Sequence, residues 1–217
     1  MNYSVDVFWS FRSPYCYFAL DRLLRIHRSP DAVVRLRPVY PMAVRDPGFF
    51  KRTSPLYRDY HTLDSKRVAD YLGLPFRRPV PDPIVQDPQT HEFAREQPYI
   101  FRLTRLGAAA QMAGRAVEFA DRVSRLLWDG RTDNWHEGEH LARALTNAGL
   151  DAAAVTAEVE NDPGKFDDLI EANQRDHAAS GHWGVPTMVF EGEPFYGQDR
   201  IELLLWRMRR SGFRLGD

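Results

Sequence analysis

Ser13-Pro14-Tyr15-Cys16 is the run of this 217-residue chain whose residue types and spacing best suit chemistry. Serine caps helices well, and a proline directly after it is preset for the first helical position. The Ser13 hydroxyl then sits at the positive end of a helix dipole, beside backbone N–H groups without partners, where a thiolate or another anion is stabilised. The same residues equally make a plain capped helix start. Cys16 is the only cysteine. Disulfide exchange needs one thiol to attack and a second to resolve, and a serine hydroxyl does not ionise readily near neutral pH, so dithiol redox chemistry is excluded. One turn into the helix, between Tyr15 and Tyr17, Cys16 reads as a small buried core residue.

A second segment runs Gly184-Val185-Pro186-Thr187, Met188 to Phe190, Glu191-Gly192-Glu193 and Pro194 to Gly197. It predicts strand, turn and strand, with Pro186 at a strand entrance where a missing N–H is tolerated. A proline there is either a trans edge residue or a cis turn feature. Gln198-Asp199-Arg200 opens a final helix with Ile201, Leu203, Leu204, Leu205 and Met208 as its apolar positions. A third segment, His136-Glu137-Gly138-Glu139-His140, fits the H-E-x-x-H zinc pattern. It is set aside on physical grounds. Acidic residues in the first turn of a helix that starts after Thr132-Asp133-Asn134 offset the helix dipole, Gly138 weakens the helix where a metal needs rigidity, and no third ligand follows at a recognisable spacing, Glu158 and Glu160 being the only proposals. No metal is expected.

These segments must be positioned by the elements around them. The apolar run Val5–Phe11 predicts a strand, Ser13–Arg28 a helix with Leu20, Leu23 and Leu24 on one face, and Val33–Val39 a second strand. Tyr40–Leu56 reads as irregular, Asp64–Leu72 as a short helix, and Pro75–Pro98, with Pro79, Pro81, Pro83 and Pro88, as an extended surface loop. Helices are predicted over Arg102–Trp128, His136–Ala148, Asp151–Glu160 and Pro163–Ser180 before the closing strand, strand and helix. Apolar residues make up 43% of the chain, enough for a real core, and a net charge of −1 gives no electrostatic case for nucleic acid or a membrane surface. No apolar run approaches the roughly 18 residues of a membrane span. The first strand begins without a basic region and apolar stretch ahead of it, so no signal peptide and a cytoplasmic location are expected.

Trp9-Ser10-Phe11-Arg12-Ser13-Pro14-Tyr15-Cys16-Tyr17, the Gly-Val-Pro-Thr run and the Phe195-Tyr196-Gly197-Gln198-Asp199-Arg200 run together resemble the thioredoxin-fold family of the DsbA-type oxidoreductases. The branch they resemble holds the kappa-class glutathione transferases and the 2-hydroxychromene-2-carboxylate isomerases, which carry Ser-Pro-Tyr-Ser-like runs in place of Cys-x-x-Cys. Tyr71 to Phe76, and Leu145 to Ala152 with Gly149-Leu150-Asp151, are compatible with it. The resemblance implies an α/β, thioredoxin-like fold (βαβ…ββα) interrupted by an all-helical insertion domain. Residues 1–58 and 181–217 would form the thioredoxin-like domain and residues 59–180 the insertion.

The resemblance further implies glutathione as cofactor, its thiolate held by Ser13, and a homodimer. Val185, before a cis Pro186, would pair its backbone with the cysteinyl part. Gln198, Asp199 and Arg200 would meet the γ-glutamyl end, Asp199 its ammonium and Gln198, Arg200 and their N–H groups its carboxylate. Asp199 also reads as a helix cap. The glutathione branch carries an Asn and a Lys after the second strand; Thr53 or Ser54 stands in for the amide here, and Arg58 for the lysine, with a different fork geometry. Arg12 occupies a position that is usually small or apolar. The implied reaction is reversible thiolate addition to a conjugated aromatic pyruvate, with bond rotation and loss of the thiolate. Trp9, Tyr15, Tyr17 and Trp183 are the candidates for an aromatic wall and, equally, for ordinary core. The alternative is a protein of the same fold without dithiol activity that acts as a glutathione transferase on another substrate, or that binds a ligand without catalysis.

Overall fold

Four strands form one sheet in the computed structural model, which describes residues 3–54, 56–87, 90 and 92–216. They are β1 (Tyr3–Trp9), β2 (Ala32–Pro38), β3 (Thr187–Phe190) and β4 (Glu193–Tyr196), in the order β2-β1-β3-β4. β1 runs parallel to β2, with Val5 opposite Val34, and antiparallel to β3, with Val7 opposite Met188. As the inner strand it is covered on both faces: Val5, Val7 and Trp9 are wholly buried on one side and Phe8 on the other. Such a strand reads as a near-continuous apolar run, which is why it is visible in the sequence. Pro194 lies on edge strand β4, opposite Val189, where its missing N–H breaks no ladder bond.

Helix α1 (Pro14–His27) lies on the sheet and buries Cys16, Tyr17, Phe18, Leu20, Leu23 and Leu24. The stretch expected to be irregular holds two one-turn helices, α2 (Met42–Arg45) and α3 (Phe49–Arg52). Helix α4 (Leu56–Leu72) starts eight residues before Asp64, where the short helix was expected. Its only buried side chains among the described residues are Ser65 and Ala69, and Leu56, Tyr60, Leu63 and Tyr71 point outward, so periodicity was a poor guide there. The single helix expected over Arg102–Trp128 is two, α5 (Pro98–Met112) and α6 (Ala116–Trp128). They part at Gly114, whose φ of +69° is a helix-ending conformation open to glycine at little cost.

Helix α7 (His140–Asn147) begins four residues after the expected His136, and α8 (Ala152–Asn161), α9 (Pro163–Ala179) and α10 (Ile201–Arg210) follow. His136–Glu139 therefore lie in the turns ahead of α7 and only His140 enters it, so the two histidines do not share one helical face. His136 packs against Tyr99 and Trp135 with ring centres 4.6 and 5.6 Å away, and no group of three metal-ligating side chains exists among the described residues. The proline-rich stretch carries a cis Val80–Pro81 bond and an isolated bridge between Gln86 and Phe93; Pro88 falls outside the described residues. Helices α5 and α6 pack on β2, and Trp128 Nε1 donates to the Phe11 carbonyl at 3.0 Å, so the helical segment and the sheet share one hydrophobic core. No described helix is long and apolar enough to cross a membrane.

Candidate active site

The turn after β1 delivers Ser13 to the first position outside α1. The Ser13 N–H donates to the Ser10 carbonyl at 3.1 Å, its backbone is extended (φ −94°, ψ 118°), and its Oγ accepts the Cys16 N–H at 3.4 Å. That cap bond is long, which leaves the hydroxyl free to serve another partner. Cys16 is 1% exposed, and burial pushes its thiol up to about 12 against the opposing pull of the Ser10 backbone and the Ser13 hydroxyl. It is a core residue, and its thiolate does not form near neutral pH.

Opposite Ser13 stands the entrance to β3. The Val185–Pro186 bond is cis, and the Pro186 carbonyl accepts the Gly197 N–H at 2.9 Å, which ties this turn to the start of the Gln198–Arg200 3-10 turn. Thr187 Oγ1 donates to the Gly184 carbonyl at 2.6 Å. Gly184 is required by close approach: a Cβ there would lie 2.3 Å from Tyr196 Cε2. The N–H and carbonyl of Val185 have no hydrogen-bond partner among the described residues. Unpaired backbone of this kind accepts an extended peptide as a neighbouring strand would.

Between these two turns lies a cleft of about 400 Å³. Tyr15, Trp183 and Tyr196 line it from the sheet side, and Phe49, Phe50, Tyr57 and Phe93 from the segment after β2 and the proline-rich loop. Phe49 contacts Trp183 with ring centres 5.0 Å apart, and Phe50 contacts Phe93 at 5.8 Å, so the aromatic wall is continuous. Burial, then the fields of Tyr57, Cys16 and Asp199, pushes the Tyr196 phenol up. Four arginines face the cleft: Arg12, Arg45, Arg58 and Arg78. Arg12 is held bidentately by Asp82 at 3.1 and 2.9 Å, and Asp82 also accepts the Ile84 N–H at 2.9 Å, which fastens the loop beyond Pro81 to the turn after β1. Among the described residues Arg78 donates to the Thr62 hydroxyl alone, at 3.3 Å, and neither Arg45 nor Arg58 forms an ion pair. His61 lies in the same wall, and burial, then Arg12 and Arg78, lowers it to about 4 despite Asp64. The cleft is therefore an aromatic slot with a surplus of positive charge, suited to an anionic, flat ligand.

Of the residues singled out in the sequence, Ser13, Val185 and Arg58 line this one cleft, and Pro186 is buried just behind Val185. Gln198, Asp199 and Arg200 lie outside it, past Tyr196 at its margin. Gln198 accepts from Arg22 of α1, and Asp199 pairs with Arg200 at 2.7 Å. Asp199 caps no helix, because neither the 3-10 turn nor α10 has a side-chain cap bond. Thr53 and Ser54 are used locally, Thr53 donating to the Phe50 carbonyl and Ser54 accepting the Leu56 N–H, and neither lines the cleft. Of the four aromatic candidates, Tyr15 and Trp183 are in the wall while Trp9 and Tyr17 are buried in the core. Arg45, His61 and Arg78 escaped sequence reasoning. Arg45 falls in the stretch read as irregular, His61 just ahead of the expected short helix and Arg78 in the proline-rich loop, and only the fold turns them toward Ser13.

Comparison with known proteins agrees with this architecture. The family described as the DSBA-like thioredoxin domain matches residues 4–209. A curated relative, 2-hydroxychromene-2-carboxylate isomerase of Pseudomonas putida, is 25% identical over 219 aligned residues, covering 95% of this chain and 94% of its own. The solved structure of a 2-hydroxychromene-2-carboxylate isomerase superposes with a TM-score of 0.71 at 19% identity, covering 96% of this chain and 95% of that one. The cytosolic disulfide reductase DsbM of Pseudomonas aeruginosa, solved with GSH, superposes with a TM-score of 0.58 at 17% identity over 95% of this chain and 99% of its own. At such identities these two structures speak for the fold alone.

Proposed function

The chain belongs to the DSBA-like thioredoxin domain family, and we propose that it is a glutathione-dependent isomerase of the 2-hydroxychromene-2-carboxylate type. One observation carries the reading: a single cleft sets the Ser13 hydroxyl at the start of α1 against the unpaired backbone of Val185, under an aromatic wall rich in arginine. The curated relative that matches nearly the whole chain is named as that isomerase, and the DsbM structure was solved with GSH.

The residues present fit glutathione. A hydroxyl with a long, weak cap bond faces the cleft, the Val185 N–H and carbonyl await a peptide partner, and Asp199 and Arg200 offer opposite charges for a zwitterionic γ-glutamyl end. When bound, glutathione supplies the nucleophilic thiolate. Ser13 donates to that sulfur, and the α1 N-terminus adds its positive potential, so the charged form is favoured. Arg58 and Arg78 present guanidinium forks to the carboxylate of an aromatic pyruvate, while Tyr57 and Phe50 flank its ring. His61 stays neutral at physiological pH and adds no competing charge.

The test is calorimetric titration of glutathione into the purified protein beside Ser13→Ala and Asp199→Ala, followed by an assay of cis–trans isomerisation of an aromatic pyruvate. Saturable binding weakened by both substitutions, with turnover that requires but does not consume glutathione, is the expected result. No binding at millimolar glutathione overturns the proposal.

A further inference from the structure

Arg45 is the cleft cation that stands beside the β3 entrance, with no counter-ion among the described residues. It ends α2 and lines the wall beside Trp183, Gly184 and Val185. One Nη2 hydrogen goes to the Trp183 carbonyl at 2.9 Å, Nε is sealed from solvent without a partner, and no carboxylate of the described residues pairs with the guanidinium. Burial alone brings Arg45 down to about 10, with no opposing charge to restore it. The groups behind it do not help. His177 is wholly buried with neither ring nitrogen properly hydrogen-bonded, and its proton is disfavoured first by burial and then by Arg45. His182 uses Nδ1 to accept the Gly184 N–H at 2.9 Å. Arg12, by contrast, has Asp82, and Arg78 has Thr62. A guanidinium partly withdrawn from water, with Nε sealed and no counter-ion, carries part of the desolvation cost of a buried charge, and an anion delivered through the cleft offsets it.

The chemistry of that anion follows from where Arg45 sits, and rests on the glutathione reading above. Its bond to the Trp183 carbonyl fixes the guanidinium two residues before Val185, whereas Asp199 and Arg200 lie beyond Tyr196, past the other end of this turn. A tripeptide whose central residue pairs with Val185 has two ends, and the γ-glutamyl end matches the Asp199–Arg200 pair. We propose that Arg45 binds the glycyl carboxylate of glutathione and so fixes the direction of the tripeptide across the Val185 backbone. Arg58, the residue expected from sequence to replace the family's lysine, is then free with Arg78 for the second substrate.

Truncating the ligand and the residue together tests the assignment without any turnover measurement. Glutathione, γ-glutamylcysteine and the glycyl monoethyl ester of glutathione are titrated by calorimetry into wild type, Arg45→Met, Arg45→Lys and Arg58→Met, each checked for folding by circular dichroism. Wild type is expected to prefer glutathione over both analogues by about 10- to 100-fold, the range for a hydrogen-bonded charge pair. Arg45→Met is expected to bind all three alike, at the wild-type affinity for γ-glutamylcysteine, Arg45→Lys to keep part of the preference, and Arg58→Met to keep all of it. Equal binding of the three ligands by wild type overturns the assignment, and so does a preference that survives Arg45→Met but is lost in Arg58→Met; the glutathione reading stands in both cases. If wild type binds none of the three, that reading fails and this assignment falls with it. Should Arg45→Met not fold, the wild-type comparison and Arg45→Lys decide.

Discussion

Replacing Ser13 by glycine and by alanine separates two roles carried by one hydroxyl. As an N-cap, Ser13 makes a bond of 3.4 Å to the Cys16 N–H, long enough to place the alanine penalty in the lower part of the usual range, about 0.5–1 kcal/mol, while glycine costs only a few tenths. A domain of this size loses about 2–4 °C of Tm per kcal/mol, so alanine is expected to lower Tm by about 1–4 °C and glycine by about 1 °C or less. As a donor to a bound thiolate, the hydroxyl contributes about 1.5–3 kcal/mol, which corresponds to roughly 1–2 pKa units of the ligand thiol. A bond to the charged form holds that pKa down, so its removal moves the midpoint up and protonates the sulfur first at neutral pH. The assay is the ultraviolet absorbance of bound thiolate against pH, measured with saturating glutathione beside thermal melts of the same proteins. The glycine variant is decisive, because it nearly spares the cap and abolishes the donor. The same thiolate midpoint in wild type, Ser13→Gly and Ser13→Ala, with melts shifted as a cap requires, would show that Ser13 only starts the helix.

Two further outcomes are expected. Gly184→Ala puts a Cβ 2.3 Å from Tyr196 Cε2, so urea unfolding should show a loss of about 1–3 kcal/mol that Tyr196→Ala in the same chain largely relieves; an unchanged midpoint for the single variant would refute the close contact. His177, stacked on Phe8 with ring centres 4.5 Å apart, is held to about 4 in the folded chain, first by burial and then by Arg45, against about 6.5 unfolded. The unfolded state therefore binds the proton first, and the stability this residue contributes above about pH 6.5 drains away as pH falls toward 4. His177→Phe should be close to wild type at pH 7 and about 2 kcal/mol less sensitive to a drop to pH 5, since about 1.5 pKa units are crossed. Equal acid sensitivity of the two proteins in urea unfolding would refute it.

What the sequence determined by itself is local. The central strand was legible because both its faces are covered, so Val5, Val7, Phe8 and Trp9 form an unbroken apolar run. The cap at Ser13 was legible because capping needs only neighbours in the chain, and Cys16, lone and one turn into an apolar helix, read as the buried residue it is. Elements whose stability comes from contacts far along the chain were misread. Helix α4 fully buries only Ser65 and Ala69 among the described residues and packs Val68 and Leu72 half-buried on the core, α2 and α3 are single turns held by their surroundings, and α5 and α6 part at one glycine. The aromatic, arginine-rich wall was hidden for the same reason. Arg45, Tyr57, His61 and Arg78 carry no pattern of their own, and they meet Ser13 and Val185 only because the chain returns from α9 to lay β3 against β1. Sequence fixes which groups can cap, ionise or pair with their neighbours; which charges are left without a partner in a shared cleft is decided only when distant segments exclude water together.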